Sequence, residues 1–91
     1  MKRRYTDVWE AIEGPEAAAS LRARSALMIE ITALIRRSEW TQREAAKRFG
    51  VTQPRISDLM RGRIDLFSLD TLVDMAAAGG LKPRITVKRA A

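Results

Sequence analysis

An all-α domain of about five helices followed by a C-terminal β-strand is the fold class this sequence predicts, on three observations. Apolar residues recur at helical spacing in successive segments as far as Ala78. Cap and breaker residues separate these segments at Gly14-Pro15, Thr41, Gly50, Thr52, Gly62, Ser68 and Gly79-Gly80. From Leu81 the apolar period changes to two. The chain divides accordingly into an amphipathic segment at 1–14, a helical domain at 15–80 and a basic strand or tail at 81–91.

The first element follows a basic leader, Lys2, Arg3 and Arg4. Tyr5, Val8, Trp9 and Ile12 then recur at i, i+3, i+4 and i+7, the stripe of a short amphipathic helix. Asp7, with Glu10 three residues on, suits its start, and Gly14-Pro15 stops it. So short a helix is marginal alone. Its stripe must therefore dock, either on its own domain or on another protein. Pro15 suits the first turn of a second helix running to about Arg37. Leu21, Met28 and Ile35 fall at seven-residue intervals, Leu27, Ile31 and Leu34 fill the same face, and Arg22, Arg24, Glu30, Arg36 and Arg37 take the rest. The N-terminal half, with Ala17-Ala18-Ala19, is free to extend beyond the domain.

Thr41 and Glu44 form a capping box for the third helix, with Trp40 placed to staple onto Ala45. That helix runs to Phe49 and ends at Gly50. Thr52 caps the fourth, whose first turn holds Gln53 and Pro54, where a missing N–H costs little. It ends near Arg61-Gly62. Ser68 caps the fifth, through Ala78, with Phe67 placed to staple onto Leu72 and Asp70 favourable in the first turn. Beyond Gly79-Gly80, Leu81, Pro83, Ile85 and Val87 alternate with Lys82, Arg84, Thr86 and Lys88. A lone strand in a helical chain has no internal partner for its backbone groups. Leu81, Ile85 and Val87 are expected either to pair antiparallel with a second copy across a dimer axis or to belong to a frayed basic tail.

Charge narrows the partners. Residues 40–64 carry six basic and two acidic side chains, and 82–89 add Lys82, Arg84, Lys88 and Arg89 with no acid. Residues 65–81 instead hold Asp65, Asp70 and Asp74. A surplus focused on one helical pair and one tail suits a polyanion. With no cysteine and no histidine, disulfides, thiolate chemistry and the commonest general base and metal ligand are excluded. No nucleophile–base pair or metal cluster is visible, so neither an enzyme nor a cofactor is expected. No apolar run approaches the roughly 20 residues that span a bilayer, and no signal-peptide pattern opens the chain. The expectation is a cytoplasmic, nucleoid-associated protein with no membrane partner.

The pair of helices over Gln42–Phe49 and Thr52–Arg61 reads as a DNA-recognition unit. The major groove admits one helix, whose N-terminal residues meet the base edges. Gln53 can donate to and accept from an adenine. Arg55 can take a guanine or fall back on a phosphate. Ser57 and Asp58 follow one turn along, Asp58 either accepting from a cytosine or pairing with Arg61 or Arg55. Gln42, Thr52, Arg61 and Arg63 are the candidate phosphate ligands, Gln42 beside free backbone N–H groups at a helix start. Arg43, Lys47 and Arg48 are better read as the solvated face that any such helix needs. Ala46, Phe49, Val51, Ile56 and Leu59 belong to packing.

These residues carry a resemblance. Gln42 and Gln53, eleven residues apart, and the ending Arg61-Gly62 resemble the lambda-repressor-like, or XRE/Cro, helix-turn-helix family. The wider string, Leu27-Met28, Trp40-Thr41-Gln42, Val51 to Leu59, Arg61-Gly62 and Phe67 to Asp70, resembles a subgroup of small HigA-type antitoxins. Val8-Trp9-Glu10-Ala11-Ile12 is also similar to that subgroup's start. The resemblance implies a homodimer that binds a palindromic operator, represses its own operon and neutralises a RelE/HigB-like toxin. Tyr5, Val8, Trp9 and Ile12 are then the candidate toxin contacts. Pro54 departs from the small polar residue many lambda-like repressors carry beside the first glutamine. Two alternatives remain on the sequence alone: a stand-alone or phage-type repressor without a toxin, and a protein-interaction module with a degenerate motif.

Overall fold

The computed structural model describes residues 15–89. Tyr5, Val8, Trp9 and Ile12, and with them the first expected helix, lie outside the described residues. Four α-helices are present among those described: α1 (Pro15–Arg37), α2 (Gln42–Phe49), α3 (Gln53–Met60) and α4 (Leu69–Ala78), with a 3-10 turn at Ile64–Leu66 between α3 and α4.

The α1 helix has 23 residues, about 35 Å at the ordinary helical rise. Its C-terminal half holds the core: Met28, Ile31 and Ile35 are buried, with Leu27 and Leu34 packed against them. Leu21, expected on the same face, is 38% exposed. Leu21 precedes the buried line, which runs back from Ile35 through Ile31 and Met28 to the half-buried Arg24, and no α1 residue described before Met28 is fully buried. Arg24 accordingly turns inward and donates from Nη1 to the carbonyls of Ile64 and Phe67, both at 3.4 Å. It ties α1 to the 3-10 turn. At the other end, the N–H of Trp40 closes on the carbonyl of Ile35 at 3.2 Å, with Glu39 in the left-handed region at φ 57°.

The α2 and α3 helices lie against α1 and α4 through Ala45, Ala46, Phe49, Ile56 and Leu59, all buried. The capping box is formed as expected: the Glu44 N–H donates to Thr41 Oγ1 at 3.1 Å, and the Thr41 N–H donates to Glu44 Oε1 at 2.8 Å. Trp40 packs against the core and meets Phe49 edge to face, with ring centroids 6.1 Å apart, and its ring also carries the Arg48 guanidinium at 4.4 Å. Arg48 is therefore more than a solvated charge. Ser68 caps α4 by accepting from the Thr71 N–H at 3.1 Å, and Phe67 and Leu72 on either side of that cap are both fully buried.

Gly79 and Gly80 differ in what they supply. Gly80 takes a positive φ of 95°, the conformational role of a helix terminator. Gly79 has φ −84°, and a Cβ there would run into the buried Phe49 ring. Its role is space. Gly79→Ala is therefore expected to destabilise the domain by about 1–3 kcal/mol through overpacking, read as a fall in the urea midpoint at constant slope.

The expected C-terminal strand is not formed: residues 81–89 follow no helix, and no strand occurs among the described residues. A ladder needs a second strand, and these helices provide none. Leu81 is still anchored, its N–H donating to the Ala76 carbonyl at 2.9 Å and its side chain against the core. Ile85 and Val87 are 76% and 89% exposed.

Candidate nucleic-acid interface

The turn between α2 and α3 sets the geometry of the interface. Gly50 sits in the left-handed region at φ 71°, and both its N–H and that of Val51 converge on the carbonyl of Ala46. A side chain at Gly50 would meet open space, so only its backbone conformation demands glycine. Thr52 follows with extended backbone, and α3 begins at Gln53.

Thr52 does not cap α3 as expected; its side chain makes no capping bond. A hydroxyl at this position would accept from the second or third helical N–H. Pro54 has no N–H to give, and the Arg55 N–H is already taken by the Thr52 carbonyl at 3.1 Å. The Thr52 hydroxyl is consequently uncommitted and exposed at the helix start. Thr52→Ala is expected to leave thermal stability within about 0.5 kcal/mol while weakening duplex binding, because the hydroxyl's only available task is external. Paired thermal denaturation and binding titrations check both halves.

On α3, Ile56 and Leu59 point into the core, leaving Gln53, Ser57 and Arg61 on one outward line at four-residue spacing. Gln53 and Pro54 are exposed; Ser57 and Asp58 are half-buried. Asp58 Oδ1 accepts from Arg61 Nη2 at 3.0 Å, the second of the two roles open to Asp58 in the sequence. This exposed pair contributes little to stability. It does orient Arg61. Arg63 Nε lies 3.8 Å from Asp65 Oδ1 just beyond Gly62, which has φ 74°.

Arg55 is placed apart from this line. Its guanidinium lies 4.3 Å above the centroid of Phe67, a ring only 1% exposed. Stacking over an aromatic face holds the planar group in a fixed attitude. Gln42 is half-buried at the first position of α2. The fold thus puts Gln53, Ser57 and Arg61 on one line with Asp58 paired to Arg61, Arg63 just past its end and Gln42 on the neighbouring helix, and turns Arg55 toward Phe67.

Two side chains that matter here carry no functional role in the sequence: Phe67, the platform under Arg55, and Arg24, which donates to the carbonyls of Ile64 and Phe67. Arg24 had a signal, its place in the 24–28–31–35 line. The Arg55–Phe67 stack joins residues twelve apart across an irregular turn and had none.

No helix among the described residues is long and apolar enough to cross a membrane. A search of the curated proteins finds no match. A solved structure described as an XRE family transcriptional regulator superposes with a TM-score of 0.73 at 26% identity, over 81% of this chain and 83% of that one. The family model described as a helix-turn-helix domain matches residues 12–88. That span contains α2, the glycine turn, α3 and the elements that hold them, so the chain belongs to the helix-turn-helix domain family and has the XRE-like form of it.

Proposed function

We propose that this DNA-binding transcriptional regulator is a sequence-specific repressor of its own operon and the antitoxin of a type II toxin–antitoxin module. The observation that carries the DNA half is the outward line of α3, on which Gln53, Ser57 and Arg61 project from a helix whose other face is locked into the core. In this reading α3 enters the major groove. Gln53 and Ser57 read base edges, with Asp58 steering Arg61 to a phosphate and keeping its own carboxylate neutralised. Gln42, the free hydroxyl of Thr52 and Arg63 contact the backbone beside it. Arg55, aligned on Phe67, reaches the groove edge or an adjacent phosphate. The protein works in the cytoplasm on a palindromic operator as a homodimer, since half-sites about 34 Å apart need two recognition helices.

The toxin half rests on the likeness to HigA-type antitoxins, and one surface supports it. Ile29 is 63% exposed on α1, and with Leu21 and Ile64 it lines a shallow apolar depression. In this reading that depression and the sequence stripe Tyr5, Val8, Trp9 and Ile12 supply the contacts for a RelE/HigB-like protein. Co-expression with the neighbouring small open reading frame tests this. Growth rescue and co-purification, both lost in Ile29→Glu while operator binding stays intact, support an antitoxin. Rescue that fails with the native chain refutes it and leaves a stand-alone repressor.

A further inference from the structure

We propose, building on the reading of the chain as a dimeric DNA-binding protein, that residues 83–89 of two copies pair as an antiparallel ribbon centred on Thr86, and that the cations of this ribbon make the free dimer tighten as salt is added. Ile85 and Val87 are the most exposed large apolar side chains among the described residues. They stand on one face of an extended segment whose other face carries Lys82, Arg84, Thr86 and Lys88. Such an edge is a template for a second strand.

A second copy is the occupant that the pattern fits. With Thr86 on the two-fold axis, Ile85 of each copy stands opposite Val87 of the other. Thr86 meets Thr86, and Pro83, which has no N–H to give, falls at the ribbon's end opposite Arg89. Val87 of one copy then lies beside Ile85 of the other, at the mouth of the groove formed by Leu27, Leu69, Val73 and Ala76. A one-residue slip would put cations against apolar side chains.

The same register sets Arg84 opposite Lys88 twice. There is no acid within 82–89, and none of these cations joins an ion pair among the described residues. Like charges directly opposite destabilise a pair of strands. Screening removes that repulsion as the Debye length falls from about 10 Å at 0.1 M to about 3 Å at 1 M salt. Dimerisation and DNA binding therefore respond to salt in opposite directions.

The test is sedimentation equilibrium of the full chain at 0.1 and 1 M NaCl. The expected result is a dimer Kd tighter at 1 M by on the order of tenfold. The Arg84→Gln/Lys88→Gln variant should dimerise equally at both salts, and Ile85→Lys should stay monomeric. The chain has no cysteine, so Thr86→Cys adds a single thiol. Opposed residues sit within disulfide reach, so oxidation should cross-link Thr86→Cys but not Lys82→Cys. A dimer that loosens or does not respond to salt, a dimer that survives Ile85→Lys, or a monomer throughout overturns the proposal. The last result also moves the tail to a different partner. Duplex binding, measured separately, distinguishes failure of the DNA reading, in which the salt-tightened dimer persists without affinity for DNA.

Discussion

Phe49→Ala is expected to cost about 3–5 kcal/mol, against a total stability of about 4–11 kcal/mol for a domain of this size. Phe49 is 2% exposed, takes the edge of Trp40, and fills the space that Gly79 leaves open at the end of α4. Removing the ring leaves a cavity where α2 and α4 meet. The Trp40 ring loses its aromatic neighbour and keeps the Arg48 guanidinium. The variant is therefore expected to lose a large fraction of its stability, with helical circular dichroism and DNA binding lost together at a lower temperature and urea concentration than in the native chain. Phe49→Leu, closer in volume, should retain a cooperative urea transition, while a loss below about 1 kcal/mol for Phe49→Ala would show that the ring is not a core element.

The second large effect falls on recognition. Gln53→Ala is expected to cost about 1–3 kcal/mol on the cognate operator and almost nothing on random duplex, because Gln53 is exposed at the start of α3 and supports no neighbour in the fold. Arg61→Ala should instead weaken both duplexes alike and reduce the slope of log K against log salt by about 0.9, as expected for one lost phosphate contact. The Asp58 partner sharpens the comparison. Asp58→Asn frees Arg61 from its 3.0 Å contact, so it should disturb the same phosphate term and leave discrimination at the Gln53 base pair unchanged. Identical losses for Gln53→Ala on cognate and random DNA would contradict the division of roles.

Much of this architecture was legible in the sequence because its signals are local. The capping box at Thr41 and Glu44, the glycine at Gly50 and the Ser68 cap each act within four residues, and the helices begin and end where those residues place them. Leu21 keeps the periodicity of the core face but lies in the N-terminal half of α1, ahead of the buried residues Met28, Ile31 and Ile35, and periodicity alone does not say where along a helix the packing stops. Thr52 misled for a subtler reason. It holds the cap position, but Pro54 lacks one of the two N–H groups a cap could use, and the other, on Arg55, bonds the Thr52 carbonyl instead. The outward face of α3 was readable from Ile56 and Leu59 alone. The attitude of Arg55 was not, since it depends on Phe67 arriving from beyond the 3-10 turn. The alternation of residues 81–88 identifies a strand-like segment, but a strand's partner is not encoded in its own period, and the helices of this chain supply none.

The central claim is that α3 reads sequence from its N-terminal polar face. Fluorescence anisotropy of the full chain against its own upstream region and a scrambled duplex, at two salt concentrations, tests it most directly. The account predicts a preference of at least about 10³-fold for the upstream region, with affinity for both duplexes falling as salt rises. Equal affinity for the two duplexes at both salts would contradict it, reducing the interface to a basic surface that holds DNA without reading it.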